Sequence, residues 1–249
     1  MFGAQEVRDF SCRKRLHGEY IYCTSAADKI GGHGCAIGVH SKLPWAKLGA
    51  KPCKVNLDDV TILVSEPRLL IVSICTVGVD CIVVSTHGPL AASTDTCING
   101  HWKHVCSMIL EFRLGRPVIF LTDANASLTM AVDGCVGELV DKASNAATLD
   151  FTACMTSADL WIPCTFGRYG GSVKGTSYSK IGANLARRDY CGVSSDIAVK
   201  DGSAGTWYDF TMPNRGLDHV PTFIKLFLPS VSSEVILRRR VPRYDRSAV

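Results

Sequence analysis

Short runs of apolar residues separated by polar turns predict a chain made mainly of strands. Residues 118–121 are four consecutive large apolar residues, too few for a typical helix, and they indicate a strand buried on both faces. Residues 68–75 and 81–86 are apolar and β-branched, and the stretch 76–80 between them predicts a hairpin. The same patterning predicts further strands at residues 1–7, 20–22, 35–39, 187–193, 197–200 and 222–227, and a glycine-rich hairpin turn at residues 29–34.

One segment has helical periodicity. Between residues 94 and 115, apolar side chains recur at helical spacing and a glycine and a proline follow, so this segment is predicted to be a core-packing helix. A short helix is predicted around residues 155–160, and residues 168–182, rich in Gly, Ser and Tyr, are predicted to form a surface loop. These elements predict an α/β layered fold with no domain boundary before about residue 230.

The composition is that of an ordinary globular protein. Of 249 residues, 47% are hydrophobic and 20% are charged, which excludes a disordered chain. The net charge of +4 permits a polyanionic partner without requiring one. The basic residues at 8 and 13–15 predict a solvated turn or helix face, with phosphate contact as the alternative. The longest nearly apolar run, residues 69–79, is too short to span a membrane.

The cysteines favour a reducing compartment. None of the twelve forms a CxxC pair and no histidine pair has zinc-finger spacing, so a structural zinc site is not expected. Because no basic-then-apolar leader opens the chain, we expect a nuclear or cytoplasmic protein with reduced thiols, not a secreted one.

Polar residues with catalytic chemistry follow several of the predicted strands. Asp123 and Asn125 come directly after the strand at 118–121, and on an extended backbone positions two apart share one side. The alternative is an Asp turn in which Asn favours the bend. His87 comes just past the strand at 81–86, where the alternative is a loop histidine bonded to backbone.

The placement of these residues at strand ends predicts one polar cluster at one edge of a sheet sandwich. The candidates are Glu6, Asp123 with Asn125, Asp189, and Asp218 with His219. A few hard oxygen ligands without thiolates suit a magnesium ion that keeps much of its water. An adjacent imidazole can act as an acid or base at a phosphorus centre.

The order of motifs resembles the endonuclease/exonuclease/phosphatase superfamily over nearly the whole chain. Gln5-Glu6 is similar to the family's QE element, whose acid binds the metal, and Ser85-Thr86-His87-Gly88-Pro89 resembles the segment that carries Tyr or His after a central strand. Leu121-Thr122-Asp123-Ala124-Asn125-Ala126 resembles GDxNA, in which the acid polarises the nucleophilic water and the amide holds the phosphate.

Two later motifs complete the resemblance. Arg188-Asp189-Tyr190 is similar to the family's RIDY element, and Leu217-Asp218-His219-Val220-Pro221 is similar to SDHxP, whose Asp–His pair supports the nucleophile or the phosphate charge. The branch that this chain resembles most is the endonuclease domain of LINE-type retrotransposons.

The sequence also departs from the family pattern. The family has a core strand with a metal-site Asn upstream of QE, but Met1 lies only four residues before Gln5, so we expect this strand to be absent and neighbouring backbone and apolar surface to be exposed. Thr122 replaces Gly, Arg188 replaces Ile and Leu217 replaces Ser.

The resemblance implies a four-layer α/β sandwich of two mostly antiparallel sheets flanked by helices, lacking the usual first strand. It implies a Mg²⁺ (or Mn²⁺)-dependent phosphodiester hydrolase, a DNA endonuclease of retrotransposon origin. The implied metal ligands are Glu6 and Asp218, and the implied catalytic residues are His87, Asp123, Asn125, Asp189, Asp218 and His219. Asp218 would fix the tautomer of the His219 imidazole.

The implied domain covers residues 1–229, and the basic residues 230–249 would lead to a reverse-transcriptase domain on a longer chain. DNA is the expected partner, and no membrane is expected. Two alternatives stay open: a phosphatase of the same fold acting on inositol phosphate or sphingomyelin, and a non-catalytic retroelement remnant.

Overall fold

A computed structural model describes residues 1–9, 11–48, 51–170, 175–177, 186–209 and 219–228. The predicted domain boundary near residue 230, the basic tail, Asp218 and part of the predicted loop at 168–182 lie outside these residues. The elements in chain order are β1 (Phe2–Gln5), β2 (Arg13–His17), β3 (Tyr20–Thr24), β4 (Cys35–His40), β5 (Ala46–Leu48), β6 (Lys51–Cys53), β7 (Val60–Glu66), β8 (Leu69–Thr76), β9 (Val79–His87), α1 (Asp95–Arg113), β10 (Val118–Asp123), α2 (Thr148–Ser157), β11 (Leu160–Trp161), β12 (Asp189–Ser194), β13 (Ala198–Thr206) and β14 (Thr222–Phe227).

A six-stranded sheet forms the centre, with the strand order β11-β12-β10-β9-β8-β7. The predicted hairpin of β8 and β9 is confirmed, with antiparallel register from Leu69 opposite Thr86 to Thr76 opposite Val79. The pair β9 and β10 is parallel, and α1 is the crossover that a parallel pair requires. The other pairs of this sheet are antiparallel.

A four-stranded antiparallel sheet in the order β1-β4-β3-β2 packs on one face of the central sheet, and β13 pairs with β14. The core between the sheets includes Ile21, Ile37 and Val83, whereas Trp102 and Phe151 belong to the core between the central sheet and the helices. The predicted α/β sandwich of two mostly antiparallel sheets is confirmed, with both described helices on the far face of the central sheet. Among the described residues, no helix is long and apolar enough to cross a membrane.

The prediction of α1 is confirmed, and that of α2 is wrong in its extent. Thr94 caps α1 by accepting a hydrogen bond from the Cys97 N–H, and Leu114 ends the helix in the left-handed conformation. The second helix begins at Thr148, because Thr148, Phe151 and Met155 share a buried face, and it ends before residue 160. Residues 160–161 instead pair with β12 as a strand.

The basic segment at residues 13–17 is a strand, so its prediction as a turn or helix face is wrong. All five residues of β2 are exposed, yet each pairs with a residue of β3. Main-chain pairing at a sheet edge needs no apolar side chain, and charged side chains are common there because they discourage further pairing.

All twelve cysteines are free, and seven of them are buried. The burial of these seven agrees with the sequence expectation of buried thiols. Burial raises the pKa of several of them, for example that of Cys81 to about 12, so these thiols are small apolar groups and not nucleophiles.

A cleft of about 750 Å³ separates β1 from β14, with Ile119 and Leu121 among the residues that line it. Among the described strands, β1 and β14 each have a partner on one side only. Thr122 also borders the cleft, and its buried hydroxyl has no hydrogen-bond partner among the described residues.

Candidate metal and phosphate site

The sheet topology brings three of the predicted site residues into one row. Asp123, the last residue of β10, lies in register with His87 at the end of β9 and with Asp189 at the start of β12. Neighbouring strands lie about 4.8 Å apart, so residues in register on adjacent strands are close neighbours. The three residues are far apart in the sequence and meet because β9, β10 and β12 are adjacent in the sheet.

His219 reaches the same place from the segment before β14. It forms an isolated bridge with Ser177, and the Val220 N–H donates to the Thr176 carbonyl at 2.7 Å. The Thr176 hydroxyl in turn accepts hydrogen bonds from the backbone N–H groups of Arg188 and Asp189. Thr176 therefore fixes His219 and the start of β12 relative to each other.

The imidazole of His219 is held by a carboxylate. Its Nδ1 lies 2.8 Å from Asp189 Oδ2, which leaves Nε2 directed away from that carboxylate. The sequence assigned this supporting role to Asp218. Among the described residues the acid bonded to the imidazole is Asp189, and Asp218 lies outside them.

Asp123, Asp189 and His219 each offer one ligand atom, and these three atoms lie within 4.8 Å of one another. Their side chains are 13%, 16% and 38% exposed, so the group is sheltered but open on the His219 side. Two hard oxygen donors and one imidazole nitrogen fit a small divalent cation that keeps several waters. The side chains present therefore fit Mg²⁺ or Mn²⁺.

The environment of Asp123 favours its protonated form. Burial, and secondly the nearby Asp189 carboxylate, raise the pKa of Asp123 from its ordinary value of 3.8 to about 6. The His219 side chain, the Asn125 N–H and the Arg188 guanidinium oppose this rise without cancelling it. A carboxylate whose pKa lies near neutrality can take up and release a proton at physiological pH.

Asn125 lies beside Asp123, but not by alternation along an extended strand. It has a left-handed backbone (φ 49°), and its N–H donates to Asp123 Oδ1 at 3.1 Å, which is the Asp turn named as the alternative interpretation. Its side-chain Nδ2 donates to the Gly88 carbonyl at 3.1 Å, and its Oδ1 lies 3.5 Å from Arg188 Nη1. The Asp turn formed by Asp123 and Asn125 is thus itself part of the candidate site.

His87 is neutral at physiological pH. Its Nε2 lies 3.7 Å from Asp123 Oδ2, and burial, followed by the positive charge of Arg68, lowers the pKa of His87 to about 4. The next residue, Gly88, donates its N–H to the Asp123 carbonyl at 2.8 Å. A Cβ at position 88 would lie 2.3 Å from the Ala124 carbonyl oxygen, so only glycine lets the two strand ends approach this closely.

No protein-family model and no curated protein matches the sequence. Solved structures match its fold. The endonuclease domain of TRAS1, a telomere-specific non-LTR retrotransposon, is 14% identical over 85% of this chain and 82% of that chain, with a TM-score of 0.57. The 3′-5′ exonuclease from Neisseria meningitidis is 14% identical over 90% and 87%, with a TM-score of 0.56. A mannosyl-6-phosphatase from Bacteroides thetaiotaomicron is 14% identical over 84% and 77%, with a TM-score of 0.52.

The chain has the fold of the endonuclease/exonuclease/phosphatase superfamily. This agrees with the fold that the motif order implied. At 14% identity, the likeness establishes the fold and leaves the reaction to the residues of the site.

Glu6 is the predicted site residue that lies apart from the group of three. It follows β1 with a left-handed backbone (φ 57°), its side chain is 55% exposed, and it lies 3.7 Å from Arg8 Nη2. It does act electrostatically on His33 and Arg68, and the His33 ring is 5.4 Å from the His87 ring. Glu6 thus borders the site.

Sequence reasoning missed two arginines at this site. Arg188 was noted only as a departure from RIDY, yet its guanidinium lies beside Asn125 and its charge acts on Asp123. Arg68 ends the turn before β8, and its Nη1 donates to the carbonyls of His87 and Gly88. A cation at a motif position normally held by an apolar residue was the signal available for Arg188, and Arg68 carried none.

Proposed function

We propose that this chain is a metal-dependent phosphodiester hydrolase that acts on DNA, with Mg²⁺ or Mn²⁺ as its cation. The observation that carries the proposal is the convergence of Asp123, Asp189 and His219 within 4.8 Å at adjacent strand ends. Two acids and an imidazole in this arrangement suit hydrolysis at phosphorus, because they can supply cation ligands and proton transfer together.

Asp123 is the proposed base. With a pKa of about 6, it is largely ionised at neutral pH and still basic enough to accept a proton from an attacking water. The Asn125 N–H bonded to its Oδ1 fixes the direction of the carboxylate, which leaves Oδ2 directed toward His87 and the site. Asp123 therefore orients the water as well as receiving its proton.

The remaining polar groups would hold the phosphate. His219 Nδ1 is engaged by Asp189, so Nε2 is the ring atom that faces a phosphate oxygen. Asn125 Nδ2 uses one N–H on the Gly88 carbonyl and has a second N–H for the substrate. Arg188 adds a permanent positive charge beside Asn125.

Asp189 is the proposed cation ligand in the described residues, while Asp123 beside it is kept for proton transfer. When bound, the cation would neutralise charge on a non-bridging oxygen and on the leaving oxygen. Glu6 and Asp218, the ligands implied by the family resemblance, remain proposed ligands. Glu6 would have to leave Arg8, and its 55% exposed side chain has the freedom to do so.

DNA is the proposed substrate because of the similarity to a retrotransposon endonuclease domain and to a Neisseria 3′ phosphatase solved with a product DNA hairpin. A mildly basic chain, with a net charge of +4, is compatible with this substrate. The similarity to the TRAS1 endonuclease domain supports a retrotransposon origin. A reverse-transcriptase domain on a longer chain and a nuclear or cytoplasmic location are further parts of the proposal.

The test is nicking of supercoiled plasmid in Mg²⁺, Mn²⁺ and EDTA. We expect nicking that needs the cation and falls at least 100-fold in Asp123→Ala and His219→Ala. Asp133→Asn, which removes an exposed acid from a loop, is the matched control and should nick like the parent. Equal nicking by all four proteins would refute the site. A Glu6→Gln protein that needs more Mg²⁺ for half-maximal nicking would support Glu6 as a ligand.

The alternative is a phosphatase of the same fold, which the structural similarity to a mannosyl-6-phosphatase favours. It would use the same residues but release inorganic phosphate from a sugar phosphate or inositol phosphate, or cleave sphingomyelin. Turnover of these substrates with no plasmid nicking would select it. Loss of every activity in the folded parent protein would select the non-catalytic remnant.

A further inference from the structure

The four-stranded sheet has an outer face that the proposed hydrolase site does not use. The pairing register fixes which residues share it: Arg15 lies opposite Tyr22, Tyr22 opposite Gly38, and Gly38 opposite Phe2. Alternate residues such as Ile21 and Ile37 point inward to the core. We call this outer surface the aromatic face, and it consists of Phe2, Arg13, Arg15, His17, Tyr20, Tyr22 and His40.

Phe2, Tyr20 and Tyr22 of the aromatic face pack against one another at tilted or edge-to-face angles. The Phe2 ring centroid lies 5.6 Å from that of Tyr20 and 5.7 Å from that of Tyr22, with interplanar angles of 58° and 66°. Tyr20 and Tyr22 are 6.0 Å apart at 52°. None of these pairs is stacked in parallel, so no ring is covered by the full face of another.

The backbone is adapted to hold Phe2 on this face. A Cβ at position 38 would lie 2.3 Å from the Phe2 ring, so the ring lies flat against the glycine. Phe2 is nevertheless 37% exposed, and Tyr20 and Tyr22 are half-buried. Both helices of the described residues pack on the opposite side of the central sheet and do not cover these rings.

Positive charge borders the rings along β2. Arg13 and Arg15 point to the aromatic face, while Lys14 points the other way and donates to the Leu57 and Val60 carbonyls. Two acids border the same surface: Asp9 lies 4.0 Å from Arg13, and Glu19 lies 3.4 Å from His40. Arg15, opposite Tyr22, acts on Asp9 through its charge but forms no ion pair within the described residues, so it is the arginine best placed to contact a phosphate.

We propose that the aromatic face binds single-stranded nucleic acid, with bases stacked on Tyr20, Tyr22 and Phe2 and with phosphates along the arginines of β2. Exposed rings beside a basic edge are the two features that bind unpaired strands, since every base has an apolar face and every linkage carries a charge. Paired bases are already stacked within a duplex, so a duplex could use only the charges.

The face also leads toward the proposed hydrolase site. Arg13 and Thr24 lie at the same end of the sheet as Gln5, which pairs with Cys35. The Gln5 amide donates to the Ser85 hydroxyl, two residues before His87. A nucleic-acid strand bound on the aromatic face could therefore extend toward the edge of the central sheet that carries Asp123. Binding itself does not depend on the proposed hydrolysis.

The test measures binding of fluorescein-labelled dT12 by anisotropy in EDTA, where metal-dependent cleavage cannot occur, at several salt concentrations. We expect Tyr22→Leu, which keeps apolar bulk but removes the ring, to weaken binding at least 5-fold. We expect Arg15→Gln to reduce the slope of log Kd against log salt by about 0.7, the value for one phosphate on a single strand. The duplex dT12·dA12 should bind more weakly than dT12.

Lys103→Gln removes one exposed positive charge from α1, on the far side of the molecule, and should match the parent in both measurements. Thermal melting establishes that each variant is folded, and Tyr20→Leu replaces Tyr22→Leu if the latter is not. The proposal is overturned if the folded ring variant and Arg15→Gln both bind dT12 as tightly as the parent does. It is also overturned if the duplex and dT12 bind equally tightly and removal of the ring changes neither affinity. Failure of plasmid nicking would leave the binding result unaffected, so the two proposals fail separately.

Discussion

The raised pKa of Asp123 predicts that removing its charge makes the protein more stable. A rise of the Asp123 pKa from 3.8 to about 6 means that the folded state disfavours the ionised form by about 3 kcal/mol, since one pKa unit is about 1.4 kcal/mol. Asp123→Asn keeps the shape and an acceptor for the Asn125 N–H while removing the buried charge. We expect the variant to exceed the parent in free energy of unfolding by about 2–3 kcal/mol at pH 7.5.

The sign of the pH dependence follows from proton linkage. Between the unfolded pKa of 3.8 and the folded pKa of about 6, the folded state binds more protons than the unfolded state, so the parent loses stability as pH rises through this interval. Well below pH 3.8 the carboxyl is protonated in both states and the penalty is absent. The advantage of Asp123→Asn should therefore be only about 0.5 kcal/mol at pH 4 and reach its full value above about pH 7.

Urea unfolding followed by tryptophan fluorescence, in EDTA at pH 4, 5, 6 and 7.5, measures this difference directly. Asp133→Asn is the matched control, and its difference from the parent should not grow across the series because its side chain is exposed. The reasoning is refuted if Asp123→Asn is no more stable than the parent at pH 7.5, or if its advantage is the same at pH 4. Adding Mg²⁺ should reduce the advantage, because a bound cation stabilises the ionised parent.

Three further predictions rest on other contacts of the same region. Gly88→Ala should lower the free energy of unfolding by about 1–3 kcal/mol, because its Cβ would meet the Ala124 carbonyl oxygen at 2.3 Å. Gly100→Ala, which adds a Cβ in open space on α1, should raise the free energy of unfolding by up to about 1 kcal/mol. Urea unfolding of both variants measures the two changes. His87 should titrate near pH 4 in an NMR pH series, so its imidazolium signal should be absent above about pH 5. A histidine resonance that titrates with a midpoint at pH 6.5 or above, and that is missing from the spectrum of His87→Gln, would contradict the burial of His87. Thr122→Val should raise the free energy of unfolding by about 1 kcal/mol, since it removes a buried hydroxyl without a partner in the described residues. Ser85→Ala, which removes the acceptor of the Gln5 amide, should lower the free energy of unfolding. Thermal melting of the two variants should show a rise in melting temperature for the first and a fall for the second.

The sequence by itself determined the strands with strong apolar runs and the helix with clear periodicity. The hairpin of β8 and β9, the buried strand β10 and α1 could all be predicted, because apolar spacing and turn residues are local signals. The basic strand β2 could not, since its side chains stay in solvent and only its backbone pairs with β3. The start of α2 was missed for a related reason, because the burial of Thr148 and Phe151 depends on the sheet that they cover.

The candidate site divides in the same way. The sequence could name Asp123, Asn125, Asp189, His219 and His87, because acids, amides and imidazoles after apolar runs are visible in one dimension. Only the tertiary structure decided that His87, Asp123 and Asp189 form one row, that Asp189 is the acid on His219, and that Arg188 stands beside Asn125. Strand order and burial set these distances and the raised pKa of Asp123, and both are properties of the packed sheets that no local stretch of sequence contains.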